Sequence, residues 1–213
     1  MKIAFDVDAT LTDMNGFLKK HGEAFFLKRN KPMLDSDATT AERMYGATTE
    51  EMRAFWLRYY IVYCLTVQLK PNLKDTLDRL RSDGHGLHVV TARLGAHRKD
   101  FLGRVLRYAV IKKFEHHGIY MDSYTFTNDS IADDKLNVCR ENHYDMIVED
   151  NPNHIERIAR NLGIPVIVVS TPENAGLNLE NIIRIKDLNE LENAVKLAVS
   201  LCKNGYSGAG SVQ

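Results

Sequence analysis

Apolar residues along the chain follow two alternating rhythms. Short runs at residues 3–7, 87–90, 124–127, 145–148 and 165–169 have strand length and β-branched content, and 182–185 is a weaker sixth. Runs of this kind fit strands buried on both faces. Between them, apolar residues return at helical spacing. Asn72 can cap a helix after Pro71 that puts Leu73, Leu77 and Leu80 on one face and stops near Gly84. Residues 96–117, ending at Gly118, read as a longer helix, and 134–142 and 153–162 as shorter ones. This alternation predicts an α/β fold: a Rossmann-like, doubly wound parallel sheet with helices on both faces. In such open sheets the ligand crevice lies at the carboxyl ends of the strands, so the chemistry is sought there.

One interval breaks the rhythm. Residues 14–70 carry no strand signal and are far too long for a simple crossover. Thr48-Thr49-Glu50-Glu51 has the form of a capping box, followed by Met52, Phe55, Trp56, Tyr59 and Tyr63 at helical spacing. Phe17, His21 and Phe25 mark another helix before it. The interval reads as a small helical module inserted after strand one. The chain then divides into an α/β core over residues 1–13 and 71–204, a module over 14–70, and a Gly- and Ser-rich tail over 205–213 that is expected to be flexible. Nine of the 18 aromatic residues lie in the module. Aromatic faces can stack a nucleobase, but a module of this size also needs its own core, and rings at i, i+3 and i+4 supply one.

Composition narrows the function classes. Hydrophobic residues at 44% and charged residues at 26% are ordinary for a globular chain. Lys+Arg and Asp+Glu both number 28, so the chain lacks the basic excess that binds nucleic-acid polymers through their phosphates. No apolar run reaches the roughly 20 residues of a membrane span, and Asp6 and Asp8 fall where a secretory signal needs an apolar stretch. The expected setting is the cytoplasm. Cys64, Cys139 and Cys202 form neither a CxxC pair nor an even framework, and the first two read as small buried hydrophobes. His116-His117 closes a helix and His85 and His88 flank a strand, without zinc-ligand company from cysteine. No histidine is assigned a catalytic role.

Chemistry-bearing residues gather at the predicted strand ends. Strand one runs into Asp6-Val7-Asp8-Ala9-Thr10, and residues two apart on a strand point the same way. Two carboxylates held together repel unless a cation or proton lies between them. An all-oxygen site of few carboxylates suits Mg²⁺, which also neutralises phosphate. Strand two ends in Thr91-Ala92-Arg93, a hydroxyl followed by backbone N–H groups; Lys135 opens a helix after Asp133-Asp134; strand four ends in Glu149-Asp150. Each has a plain structural reading, as a solvated strand end, a helix cap, a surface lysine or turn residues. Four such features in this order are hard to obtain by chance.

Together they resemble the four motifs of the haloacid dehalogenase-like phosphatases: DxDxT, a strand-terminal Thr or Ser, a lysine, and a paired acidic motif. The resemblance covers residues 2–172, with the insertion where that family carries its type 1 cap. The stretches Ile147-Val148-Glu149-Asp150-Asn151, Ile164-Pro165-Val166 and Ser170-Thr171-Pro172-Glu173-Asn174 are most similar to the 5′(3′)-deoxyribonucleotidase branch and its bacterial nucleotidases. Ala9 stands where glycine is usual, and Glu149 where many members have Gly or Asp. The Thr91-Ala92-Arg93 loop differs from that of the mammalian nucleotidases, so their base preference is not transferred.

The resemblance implies a Mg²⁺-dependent phosphomonoester hydrolase with a small-molecule substrate, most similar to a 5′-nucleotidase acting on nucleoside monophosphates. A sugar-phosphate or other small-metabolite phosphatase is the alternative. It implies Asp6 as the nucleophile that becomes an aspartyl-phosphate and Asp8 as general acid and base. The metal ligands it implies are the Asp6 carboxylate, the Asp8 backbone carbonyl and Asp150, with Glu149 direct or through water; which acidic residue of that pair is the inner ligand stays open. Thr91, the Ala92 N–H and Lys135 fall on the phosphate oxygens, and Thr10 orders the loop. Groups shared by every substrate cannot discriminate among substrates, so specificity is expected from Arg53, Trp56 and Tyr60 of the cap, at least one of them facing the crevice, and from Arg93. A non-enzymatic phosphoacceptor of the receiver type also sets an acidic cluster, a hydroxyl and a lysine on a parallel sheet. It lacks both the second Asp and the long insertion, and both are present here.

Overall fold

The computed structural model describes residues 1–203; the Gly- and Ser-rich tail lies outside the described residues. Its elements in chain order are β1 (Lys2–Phe5), α1 (Met14–Leu27), α2 (Ala41–Tyr45), α3 (Thr49–Thr66), α4 (Leu73–Ser82), β2 (Gly86–Thr91), α5 (Phe101–His116), β3 (Ser123–Phe126), α6 (Asp134–Glu141), β4 (Met146–Glu149), α7 (Pro152–Leu162), β5 (Val166–Val169), β6 (Ile182–Ile185) and α8 (Leu191–Lys203), with a single 3₁₀ turn at Leu188–Glu190 before the last. The strands form one six-stranded sheet in the order β3-β2-β1-β4-β5-β6, and every pairing is parallel. No helix among the described residues is long and apolar enough to cross a membrane.

Strand side chains alternate between two apolar layers. Ile3 and Phe5, Leu87 and Val89, Met146 and Val148, and Ile167 and Val169 pack in one buried cluster with α4, α5 and α8 through Leu77, Phe114 and Val195. Ala4, Val90, Ile147, Val166 and Val168 point the other way, onto α6 and α7 through Leu136, Cys139, Ile155 and Ile158. Burial of each large aliphatic side chain contributes about 1.5–3 kcal/mol, so both faces anchor the strands firmly. The chain winds outward from β1 through β2 to β3, then crosses to β4 and winds outward the other way. The loops leaving the adjacent strands β1 and β4 therefore part in opposite directions, and a crevice opens between them.

Most element boundaries follow local chemistry. The capping box is formed: Thr48 Oγ1 accepts from the Glu51 N–H at 3.3 Å, and the Glu51 carboxylate accepts from the Thr48 N–H at 2.8 Å. Two expectations are corrected. Asn72 sits in the left-handed region (φ 58) and makes no side-chain cap; its amide donates to Asn189 Oδ1 instead. The helix expected from residue 96 starts at Phe101, because Gly95 (φ 76) turns the chain and Asp100 caps the helix by accepting the Gly103 N–H at 2.9 Å.

Helices α1 to α3 carry a core of their own, in which Phe17, Phe25, Phe26, Tyr45, Phe55 and Tyr63 are buried and touch edge-on or stacked. The module is fastened to the sheet at several points. An antiparallel bridge pairs Thr12 with Leu69 where the chain leaves and re-enters. Lys113 Nζ of α5 donates to Val67 O at 2.6 Å, and the Tyr60 hydroxyl donates to Leu94 O. Glu173, in the loop after β5, accepts four bonds: from the Thr39 N–H and Oγ1 at 2.9 and 3.1 Å, and from the Thr40 N–H and Oγ1, both at 3.0 Å.

Removing that acceptor should loosen the module. Glu173→Ala is expected to lose about 2 kcal/mol of stability, since bonds to a charged acceptor contribute roughly 1.5–3 kcal/mol and the four share one partner. Limited proteolysis should then cut between α1 and α2 several times faster than in the parent. An unchanged melting temperature and cleavage rate would show that the contact is incidental.

Candidate active site

The first strand delivers its acidic residues by a tight turn. The Asp6 N–H extends the ladder to Val148 O at 3.0 Å, so Asp6 is tied to the neighbouring strand. Ala9 then adopts φ 61, a left-handed conformation that costs a residue with a Cβ roughly 1–2 kcal/mol. The reversal lets the Leu11 and Thr12 N–H groups return to Val7 O at 3.0 and 3.1 Å, and it leaves Asp6 and Asp8 lining one cavity of about 200 Å³.

Three carboxylates meet at its floor. Asp6, Glu149 and Asp150 are all buried and offer oxygens within 4.8 Å of one another. Lys135, itself buried at the start of α6, donates to Asp6 Oδ1 at 2.6 Å and to Glu149 Oε2 at 2.9 Å. Burial pushes the Asp6 carboxyl up to about 7 despite Lys135. Burial, reinforced by the charges of Glu149 and Asp6, holds Asp150 well above the carboxylate range. Glu149 goes the other way: burial opposes its ionisation, but Lys135 and His154 outweigh it and lower its pKa. Burial likewise works against the Lys135 cation, yet Asp6 and Glu149 keep it well above the usual lysine value. One ammonium thus bonds two of the three acids, and the donor set left over is all oxygen. That set fits a hard divalent cation such as Mg²⁺.

Asp8 has a separate environment. Arg93 Nε donates to its Oδ1 and Oδ2 at 3.1 and 3.2 Å, Arg93 Nη2 also donates to Oδ1, and the Tyr63 hydroxyl donates to the same oxygen. Arg93 is 2% exposed. Burial alone would depress its guanidinium, but Asp8 holds it well above its ordinary value. Thr10 Oγ1 donates to Asp150 Oδ1 at 2.7 Å, which ties the turn after β1 to the loop after β4. Ala92 lines the cavity, and the fully buried Thr91 Oγ1 has no hydrogen-bond partner among the described residues.

No protein-family model matches the chain. The Bacillus subtilis protein named "Putative nucleotidase YqfW" is 24% identical over 188 residues, 88% of this chain and 89% of that protein. Among solved structures, the hydrolase SP0104 of Streptococcus pneumoniae, a haloacid dehalogenase-like family protein, superposes with a TM-score of 0.60 at 16% identity, covering 91% of this chain and 97% of its own. CbbY of Rhodobacter sphaeroides, solved in complex with phosphate, gives 0.53 at 17% identity, covering 89% and 95%. The chain has the haloacid dehalogenase-like fold.

Within that fold the structure brings together Asp6, Asp8, Ala92, Glu149 and Asp150 around one cavity, with Lys135 bonded beneath them to two of its acids. The remaining wall is Met14, Thr39 and Thr40 of the module and Ala9, Asp129, Asn151 and His154 of the core. Four of the residues expected at the substrate stand elsewhere. Arg53, Trp56 and Tyr60 line a separate apolar groove with Leu57 and Leu94. Trp56 lies two turns before Tyr63 on α3 and packs edge-on against its ring, with centroids 5.5 Å apart, and only Tyr63, in the last turns, bonds to Asp8. Arg93 is buried against Asp8 and has no free face for a substrate. His154 is the residue that sequence reasoning missed. Its Nδ1 lies 3.1 Å from Glu149 Oε1 and its Nε2 3.2 Å from Asp129 Oδ1. Burial opposes the charged ring, but these two carboxylates bring it up to about 9. The signal was its place in the first turn of α7, five residues after Glu149, where the Asn151 cap folds the helix back over the strand end.

The acid cluster has a pH signature. Asp6 and Asp150 bind protons more tightly folded than unfolded, so their contribution to stability is full below the unfolded carboxylate pKa and is lost as pH rises, for Asp6 through about 7. A divalent cation offsets that loss only where the acids are ionised. Mg²⁺ is therefore expected to raise the melting temperature more at pH 8 than at pH 5.5, and Asp150→Asn should remove most of the effect at pH 8. Equal shifts at the two pH values would contradict this.

Proposed function

We propose that the protein is a phosphomonoester hydrolase that carries the phosphoryl group on Asp6, with a nucleoside monophosphate as its first-choice substrate. The observation that supports it best is the division of labour among the acids. Asp6 is bonded to a buried lysine at the crevice floor, while Asp8, two residues on, is held by different partners on the wall of the same cavity. A nucleophile and a proton carrier need such separate settings.

In this reading, residues 14–70 form a cap over the α/β core. An Asp6 carboxylate oxygen attacks phosphorus; the bond to the leaving oxygen breaks, and Asp8 supplies that oxygen with a proton. Asp8 then takes a proton from the water that attacks the aspartyl-phosphate, and Asp6 is released. Thr91 Oγ1, the Ala92 N–H and the Lys135 ammonium receive the non-bridging oxygens and balance their charge. Mg²⁺, held by the Asp6 carboxylate, the Asp8 backbone carbonyl and Asp150, supplies further neutralisation of the phosphoryl oxygens when bound. Glu149 has both oxygens engaged, one by Lys135 and the other by His154 and the Asn151 N–H. We therefore assign it to holding the lysine, with Asp150 as the inner metal ligand.

The nucleotide preference draws on the similarity to the named nucleotidase. A second reading, a phosphatase of sugar phosphates or other small metabolites, is favoured by the cavity itself. It holds about 200 Å³, and no Phe, Tyr or Trp side chain lines it to stack a base. The polar groups of Thr39, Thr40, Asp129 and Asn151 suit a hydroxylated leaving group.

Activity with Mg²⁺ over nucleoside 5′- and 3′-monophosphates, sugar phosphates and p-nitrophenyl phosphate separates these readings. A preference of about tenfold for one class, ~1.4 kcal/mol of transition-state binding, decides between nucleotide and sugar phosphate. Asp6→Asn and Asp8→Asn are each expected to lower kcat at least roughly 100-fold, the scale of general acid–base catalysis. Full activity in either would overturn the assigned roles. A single phosphoryl event per chain, without turnover, would instead support a phosphoacceptor of the receiver type.

A further inference from the structure

Asp8 carries more donors than a proton carrier needs, and they fall unevenly. Its Oδ1 receives Arg93 Nε at 3.1 Å, Arg93 Nη2 and the Tyr63 hydroxyl, while Oδ2 receives one Arg93 contact at 3.2 Å. An ionised carboxylate has about four acceptor sites, two on each oxygen, so Oδ1 is filled. Arg93 is fixed in turn: its side chain is 1% exposed and its guanidinium lies 5.2 Å from the centre of the Tyr63 ring. Tyr63 is itself 2% exposed, and burial keeps its hydroxyl protonated as a donor. Asp8, with a side chain 26% exposed, is the one member of the trio that lines the cavity.

We propose that Arg93 and Tyr63 are positioning residues that lock the Asp8 carboxyl so that Oδ2 is the oxygen exchanging protons with the leaving group and the incoming water. The inference deepens the hydrolase reading above and rests on it. In the first half-reaction the Asp6–phosphorus bond forms, the phosphorus–leaving oxygen bond breaks, and the proton on Oδ2 passes to that oxygen. In the second, the water–phosphorus bond forms, the Asp6–phosphorus bond breaks, and a water proton returns to Oδ2. Oδ1 stays bonded to its three donors throughout. Arg93 comes from the loop after β2 and Tyr63 from α3, so the inserted module reaches the proton carrier through a single hydroxyl.

Phenyl phosphate and p-nitrophenyl phosphate test this, because they share a shape while phenolate is the poorer leaving group and depends more on protonation. The value of kcat/KM reports the first half-reaction. Tyr63→Phe keeps the ring and removes the donor; it is expected to lower kcat/KM for phenyl phosphate about tenfold with KM within about threefold. The loss on p-nitrophenyl phosphate should be several times smaller. Arg93→Gln should show the same pattern more strongly, and Arg93→Lys, which restores one donor, should recover part of it. If the Arg93 variants do not fold, Tyr63→Phe carries the test alone. Equal losses on both esters, or a rise confined to KM, would overturn the inference and leave the hydrolase reading standing. Inactivity of the parent protein on every ester would overturn the hydrolase reading and this inference together.

Discussion

Three buried carboxylates around one buried lysine set the terms for the rest of the molecule. Asp6, Glu149 and Asp150 lie within 4.8 Å of one another, and Lys135 bonds two of them. Such an arrangement is costly on its own, because like charges removed from water repel strongly. It persists because two thick apolar layers hold the ends of β1 and β4 side by side, whatever the acids prefer. The surplus negative charge then becomes the useful property. It raises the proton affinity of Asp6 and Asp150, and it suits a divalent cation, which would be held beside the residue assigned as the nucleophile.

The surrounding contacts divide this surplus rather than dispersing it. Lys135 and His154 draw Glu149 toward the ionised form, while Asp6 and Asp150 are pushed the opposite way. Asp8 is paired instead with the Arg93 guanidinium, although its charge still adds to the upward push on Asp6. Two carboxyl groups two residues apart in the chain therefore sit in different electrostatic surroundings. The inserted helices contribute to both ends of this arrangement, through Tyr63 at Asp8 and through Thr39 and Thr40, which line the cavity and clasp Glu173 of the core.

The parts of this picture that were legible in the sequence are those carried by local pattern. Parallel strands buried on both faces show as short apolar runs, and the acids, the hydroxyl and the lysine stand at their ends in a telling order, so Asp6, Asp8, Thr91, Lys135 and Glu149-Asp150 could be singled out. The capping box before α3 and the aromatic core of the module follow from spacing too. What escaped depends on tertiary placement. Nothing local says that α3 meets Asp8 only in its last turns, which is why Trp56 and Tyr60 lie away from the cavity and Tyr63 reaches Asp8. Arg93 carries a charge that a sequence assigns to solvent or substrate, whereas the fold buries it against Asp8. His154 shows no motif, only a helical turn that returns it to Glu149. Asn72 had the right residue type for a cap but the wrong backbone conformation, and its φ is not readable from its neighbours.

The most direct test of the central claim is to catch the phosphoryl group on the protein. Acid quenching within milliseconds of mixing with a phosphomonoester and Mg²⁺, followed by peptide mass spectrometry, should find one added phosphoryl group on the peptide containing Asp6. Hydroxylamine should remove it, and it should be absent from Asp6→Asn. A steady-state hydrolysis with no such adduct, or an adduct located on Asp8, Asp150 or a histidine, would contradict the account.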